Sequence, residues 1–537
     1  MIINTIHSAL GRGAGHYTAG GSSSYQLAAG HWIPAKRSMT LCSPRPDADI
    51  SSLISRQQYA YPDGVHQYRI PISIDGGSYP FYENTSYRSG FPTGMTIGSD
   101  PNSSDYMVIT WTPNSGEQGN TYTPSTRIYD QDGNYLTISW SVTADTSKFV
   151  FLDPTAGTNG TGTKASPLNT FSDLSIVDGT GTSPYAGKII VLRAGTTTFV
   201  GHESGSLGGA VITGDYLIWT GSGHSDNPYI FEGYTGETCI IDMNYSGAFR
   251  NYGQSDTWVS NITFKNAKQG VDENGGQLIT TTWFDWAQNH RCIWMDNTYD
   301  NLQYYTGSGT DSNQAGVTAW LPSGFRNYWV FLNNRVTNSN LSLMDCFAVK
   351  YAVAEFNTFD TCTNFVTNGG LNVKADNQYW SIRRNYRTDN SFDMVDGLIR
   401  LANQADTYSC GPFDVCYNID VPPANSRSCT PEDTNGAAWA PVYVYLYRNN
   451  FYGRVVQFDD KPDFHYWEKN VIVNDAGYYG AQCGVPQTTC VNLNVTLTSN
   501  ITGTTSDNIL DSSTGLITSA YESAHPGTRY TVGAEIG

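Results

Sequence analysis

Seven segments from Trp258 onward share one design, and it constrains the fold more than any other feature of the chain. They are WVSNITF, CIWMDNTYD, WVFLNNRVT, AVAEFNTFD, WSIRRNYRT, YLYRNNFYG and YWEKNVIVN. Each runs as a short apolar strand into an asparagine and resumes as a second short strand. The asparagines are Asn261, Asn297, Asn334, Asn357, Asn385, Asn450 and Asn470. Several gaps equal one unit of about 20–30 residues, a repeat that buries its apolar face only by stacking on its neighbours. A coil must bend sharply between consecutive strands, and Asn tolerates left-handed geometry and bonds to nearby backbone. Stacking sets one amide above the next, so the side chains can bond along the pile. With strands about 4.8 Å apart, a dozen coils rise about 55–60 Å. The competing reading is a β-sandwich with unrelated Asn turns. Its strands would not repeat the strand–Asn–strand order.

The entry to this region begins at Lys148. KFVFLDPTAGTNGTGTKASPLNTFSDL leads through an apolar strand and a Gly/Thr loop into GKIIVLRAGTTTF, NPYIFEGYTGETCIIDM and TWVSNITFKNA. The Gly-rich stretch ending in Ser166-Pro167-Leu168-Asn169-Thr170, followed by the early coil Gly187–Gly195, resembles the start of right-handed parallel β-helices of the pectin-lyase-like superfamily. That resemblance covers about 350 residues in pattern and implies an all-β rod over 147–537. Residues 401–441, long, polar and Cys-containing, read as an insertion projecting from the rod. The tail after about 490 reads as final strands and an end cap.

Ahead of the rod, residues 61–146 alternate apolar and polar positions in YRIPISIDGG, MVITWTP, STRIYDQDGNY and LTISWSVTAD, with Gly-Gly, Pro-Thr-Gly and Asp-Gly turns between them. Strands at this spacing close into a small sandwich. Pro80, Phe81 and Tyr82, then Pro92, Gly94 and Ile97, then Trp111 and Pro113, then Asp130, Gly133 and Trp140 resemble the Ig-like, cadherin-like modules of bacterial and phage surface proteins. Asp130-Gln-Asp-Gly-Asn reads as a tight turn, since the bidentate Glu of a calcium loop is missing. Residues 1–60, with GRGAGHYTAGGSSS, read as an irregular attachment region.

The chain has 537 residues and a formal net charge of −18, which repels nucleic acid and anionic membranes. Its N-terminus, MIINTIHSALGRGAG, carries no secretory signal pattern, and no apolar run reaches the about 18 residues of a membrane span. A surface-type protein with such an N-terminus fits a virion, or an extracellular setting if a leader has been removed. Ten cysteines occur and none forms a C-x-x-C pair, so no zinc site is expected. Loop disulfides are expected among Cys410, Cys416 and Cys429, and between Cys483 and Cys490, in an oxidising medium; buried free thiols are the alternative.

No P-loop, H-E-x-x-H or G-x-S-x-G motif is present. Carboxylates near bases on neighbouring repeats are the candidates for acid–base work on a polysaccharide. They are Asp376, Arg384, Asp393, Asp396, Asp460 and His465. Solvated turn charges are the plainer reading of these residues. Tyr304, Tyr305, Tyr466 and Trp467 are candidates to stack on sugar rings, and Tyr443, Tyr445 and Tyr447 share a face by alternation. Ile293-Trp294-Met295-Asp296-Asn297 is similar to the Trp-Ile-Asp-His segment of pectate lyases. Asn297 replaces the His and no Arg-x-Pro-x-x-Arg follows, so Asp296 reads as a turn residue. No cofactor is expected; calcium is the one ion that lyase chemistry would call on. The resemblances imply a phage-type virion surface protein, a tail fibre or spike, that binds host glycans, trimerises and meets other virion proteins through residues 1–60. Alternatives are a lyase or glycoside hydrolase acting on an acidic or bacterial surface polysaccharide, and a bacterial adhesin or filament subunit.

Overall fold

The computed structural model describes residues 25–28, 31–34, 40–41, 58–72, 74–75, 80–100, 103–169, 188–198, 216–219, 229–242, 248–251, 257–266, 279–281, 290–302, 315–319, 326–339, 342–362, 370–374, 377–387, 397–403, 413–423, 427–433, 444–455, 465–473, 495–498, 501–503, 505–526, 528 and 534. Three long parallel sheets dominate. The first has 12 strands, from Phe149–Leu152 to Val495–Thr498; the second has 11, from Gly195–Thr198 to Ile501–Gly503; the third has 9, from Tyr216–Trp219 to Arg454–Val455. Successive strands of one sheet come from successive coils, and from Ile189 to Val455 nine coils visit the first, second and third sheet in turn. The general right-handedness of parallel crossovers sets the hand of this parallel β-helix. Its first sheet is about 53 Å long at the usual strand spacing. Among the described residues no helix is long and apolar enough to cross a membrane.

The interior is a stack of side chains in register. Val259, Trp294, Phe331, Ala354, Ile382, Val415, Leu446 and Trp467 form one inward column of the first sheet, all buried. Trp294 stacks on Phe331 at 4.9 Å. The second sheet's inward column runs Phe264, Tyr299, Val336, Phe359, Arg387, Asp420, Phe451 and Ile472. Within it Arg387 and Asp420 form a bidentate ion pair with no solvent exposure, one contact at 2.7 Å.

The corner between first and second sheets takes two residues. The second is a buried asparagine, and these form a ladder. The Nδ2 of each donates to the Oδ1 of the next: Asn297 to Asn334 (3.2 Å), Asn334 to Asn357 (3.0 Å), Asn357 to Asn385 (2.9 Å), Asn385 to Asn418 (3.0 Å), Asn418 to Asn449 (3.0 Å) and Asn449 to Asn470 (2.9 Å). Each also donates to a carbonyl of the preceding coil, as Asn385 does to Ala354 at 3.0 Å. Two expected members lie elsewhere. Asn261 sits one residue early, at the first corner position, and Asn449 rather than Asn450 is the rung. Asn450 instead bonds Gly515 O (2.9 Å) and the N–H of Ala534 (2.9 Å), pinning the C-terminal segment against the coils. Gly515 has φ 68°, and a Cβ there would meet Ile419 at 2.4 Å. The left-handed geometry expected of the asparagines belongs to the residue before each rung.

Residues 401–441 are not simply an insertion. Ile399–Asn403, Phe413–Cys416, Ile419–Asp420 and Arg427–Asp433 are strands of the three sheets, and Asn418 is a rung. Cys416 on the first sheet and Cys429 on the third form no disulfide, nor do Cys239, Cys292, Cys346 and Cys362. Cys416 and Cys429 lie on different sheets and are not joined to each other. Cys410, Cys483 and Cys490 lie outside the described residues.

Before the coils, three small three-stranded sheets form a module built on Tyr68–Pro71, Ser103–Trp111 and Thr96–Asp100; on Tyr82–Glu83, Ser125–Tyr129 and Tyr135–Ser139; and on Tyr59–Ala60, Val142–Ala144 and Thr121–Tyr122. All pairs are antiparallel except Val142–Ala144 with Tyr59–Ala60. The Asp130 carboxylate accepts from the N–H groups of Asp132 and Asn134, closing the tight turn. The module lies along the rod. Its core, with Ile70, Ile109 and Trp111, is continuous with the outward residues Phe149, Phe151, Ile189, Val191, Trp258, Ile293 and Leu332 of the first sheet. Burying each such side chain contributes about 2 kcal/mol at most.

Polar clasps fasten this seam. Asp63 accepts from Lys164 Nζ (2.6 Å) and the Tyr234 hydroxyl (2.7 Å). Burial works to raise its pKa, but these two bonds, with those from the His66 and Val65 N–H groups, hold it down at about 2. His66 Nδ1 accepts from the Thr235 N–H (3.2 Å), so Nε2 carries the proton given to Glu232 (2.9 Å). Arg69 binds Asp296 through Nε (3.0 Å) and a second nitrogen (3.3 Å).

Candidate functional site

The first sheet's outward face changes character along the rod. One outward column reads Trp258, Ile293, Val330, Val353, then Ser381 and Asp414. The next reads Met295, Leu332, then Glu355, Arg383, Cys416 and Tyr447. Where the module covers the sheet the columns are apolar; beyond Val353 they turn polar and aromatic.

The corner changes at the same place. Its first position has positive φ in every coil from Asn261 to Lys469. It is filled by Asn261, Asp296 and Asn333, then by Phe356 (φ 58°), Arg384 (52°), Tyr417 (58°), Arg448 (51°) and Lys469 (56°). Asn and Asp tolerate this region, whereas a bulky side chain there costs roughly 1–2 kcal/mol. The corner stays in the hydrogen-bond ladder regardless: the N–H of Arg384 donates to Cys416 O (3.2 Å) and that of Tyr417 to Tyr447 O (3.2 Å). Rungs on the following residues hold the strain in place. Strain retained at five consecutive corners marks a site.

The large side chains form one connected array. The Arg384 guanidinium lies 5.3 Å from the Tyr417 ring centre, 5.7 Å from Phe356 and 5.7 Å from Phe81 of the module. Tyr417 meets Tyr447 edge-on at 5.9 Å. Arg448 and Lys469 approach the Tyr447 ring at 5.7 and 5.5 Å. Glu355, buried, is held by Arg383 (3.1 Å) and Arg384 (2.6 Å). Burial pushes the Tyr417 phenol far up, so it stays a neutral hydroxyl. Phe356 and Arg384 are themselves buried, while the half-buried Tyr417, Tyr447, Arg448 and Lys469 offer aromatic faces to sugar rings and guanidinium and ammonium groups to carboxylates. Glu355, clamped between two guanidiniums, is an anchor for those cations.

The expected site residues fare unevenly. Arg384 belongs to the array, as a corner residue paired with Glu355, which the sequence reading missed. Trp467 is 2% exposed and packs in the interior beneath Leu446, so it cannot stack on a ligand. His465 and Tyr466 lie on the strand His465–Glu468, beside Val444 and Tyr445, and their side chains are outside the described residues. Asp376, Asp393, Asp396, Asp460, Tyr304 and Tyr305 also lie outside them. Phe356, Tyr417, Arg448 and Lys469 were missed although each directly precedes a rung asparagine. Among the described residues no group of three His, Cys, Asp or Glu is placed to hold a metal.

Fold and site together define a parallel β-helix with a module docked along its side and a cationic–aromatic edge beyond it. No protein-family profile and no curated protein matches the chain. Among solved structures it is similar to a family 28 exopolygalacturonase of Yersinia enterocolitica, at 11% identity over 83% of this chain and 98% of that one, with a TM-score of 0.32. At that score no residue role transfers.

Proposed function

We propose that this protein binds an acidic polysaccharide along the exposed part of the corner edge, from Tyr417 to Lys469. The observation that carries the reading is the switch at five successive strained corners from Asn or Asp to Phe, Arg, Tyr, Arg and Lys. At one corner per coil Tyr417, Arg448 and Lys469 span about 10 Å, so about two sugars meet them at once. The chain carries −18 overall, so an anionic ligand needs a local cationic edge. In this reading the protein sits on a virion surface as a host-glycan receptor of the tail spike or fibre kind, mounted through its N-terminal region. The test is binding to a panel of acidic bacterial surface polysaccharides by affinity electrophoresis. Tyr447→Ala and Lys469→Ala should each weaken retardation at least about tenfold, the loss of one stacking or charge-assisted contact. Unchanged retardation in both refutes the site. New reducing ends or unsaturated uronates in the same incubations would establish a polysaccharide-cleaving enzyme in place of a receptor.

A further inference from the structure

The module carries a second array, far from the corner edge in sequence. Tyr82, Tyr129 and Tyr135 sit directly opposite one another on three neighbouring strands, Tyr129 pairing with both. Alternation turns Ile128 and Ile138 into the core and leaves this row outside. Tyr129 lies 5.7 Å from Tyr82 and 5.4 Å from Tyr135, and Tyr87 closes the group at 6.1 Å. Arg127, two residues along the same strand, is sandwiched between Tyr87 (4.1 Å) and Tyr135 (4.2 Å). A bond to the Tyr129 phenol further favours its charged form.

Such exposure is unusual. Among the described residues the exposed large hydrophobics are Val65, Tyr82, Tyr87, Tyr135 and Leu516, and three of them are in this one patch. Every ring here ends in a hydroxyl, and no aliphatic side chain joins them. The neighbours on the face are Thr137 and Ser139, both exposed. A protein partner would favour an apolar centre that can be fully dried. Rings with polar tips around a fixed cation suit a ligand whose own faces are apolar and whose edges carry hydroxyls and an anion. The row crosses three strands, about 10 Å, wide enough for more than one ring.

We infer that this tyrosine row is a second saccharide-binding site. Pyranose rings of an acidic glycan lie across Tyr82, Tyr129 and Tyr135, and a uronate carboxylate takes the two-pronged bond of Arg127. The guanidinium is already immobilised by its two rings, so little freedom is lost on binding.

The full-length chain is titrated calorimetrically with hexameric mannuronate and with the same hexamer after reduction of its carboxyl groups. Tyr447→Ala is the background, which weakens the corner edge. There Arg127→Ala and Tyr135→Ala should each weaken hexamannuronate binding at least tenfold. Arg127→Lys should recover only part, because an ammonium lacks the fork. The reduced hexamer should bind the background protein more weakly and respond to Tyr135→Ala but little to Arg127→Ala. These side chains are on the surface, so thermal unfolding of every variant should match the background. Binding unchanged within twofold in both alanine variants, or no hexamannuronate binding by the background protein, overturns the inference. The corner-edge proposal fails separately, if Tyr447→Ala binds as the wild type does.

Discussion

Replacing Asn385 by alanine cuts the asparagine ladder near its middle, and the size of the effect follows from what that amide holds. Its Nδ2 donates to Ala354 O and to Asn418 Oδ1, each at 3.0 Å. Its Oδ1 accepts from the backbone N–H of Asn357 (3.0 Å) and from Asn357 Nδ2 (2.9 Å). Four buried bonds disappear at a net worth near 1 kcal/mol each, and their partners are stranded where no solvent replaces them, so the loss should be about 4 kcal/mol or more. A typical domain is stable by only about 5–15 kcal/mol, which makes this a large fraction. Asn338→Gly is the control. It removes one solvent-facing bond to Asp300 (2.8 Å), keeps the left-handed backbone free, and should cost less than about 1 kcal/mol. Urea unfolding followed by tryptophan fluorescence gives both values from the midpoint and slope. A drop in slope for Asn385→Ala would mean that the distal coils fray first. A loss under about 1 kcal/mol for Asn385→Ala, or equal losses in both variants, would refute the view that the amides hold the coils together.

Two further outcomes follow from charges placed against apolar surroundings. Asp420→Ala strands Arg387 in the interior and should cost about 3–5 kcal/mol, while Arg387→Met with Asp420→Leu should return most of that stability in the same urea assay. Asp63, held near pKa 2 against an ordinary 3.8, adds stability to the module seam above pH about 4 and loses it as pH falls toward 2. Limited proteolysis between pH 5 and 2 should show the module opening in that window, and Asp63→Asn should be susceptible already at pH 5.

The rod was legible because its repeat is written in residues whose side chains do the stacking. Asn297, Asn334, Asn357, Asn385 and Asn470 were read as a series and are rungs. Arg448-Asn449-Asn450 misled because adjacent asparagines give no local sign of which faces inward; only the register against Asn418 and Asn470 decides. Asn418 was hidden between cysteines that suggested a loop. The candidate site was legible only at Arg384, since its other members are recognised by sharing a corner position, and that position appears once the rungs are aligned. Trp467 looked like a sugar platform, but strand parity with Leu446 turns it inward. The docking of the module along the rod left a trace in outward apolar positions such as Ile293 and Leu332. It could not be read, because burial on both faces looks the same in sequence whichever element supplies the cover.

Successive rungs of the ladder are separated by 37, 23, 28, 33, 31 and 21 residues, yet the amide bonds joining them stay between 2.9 and 3.2 Å. The spine is therefore indifferent to how much chain hangs from each turn. Peripheral elaboration can be gained or shed one turn at a time while the axis keeps its pitch. A one-residue slip between a first-sheet strand and its rung has the opposite effect, because it would turn an entire inward column to the outside.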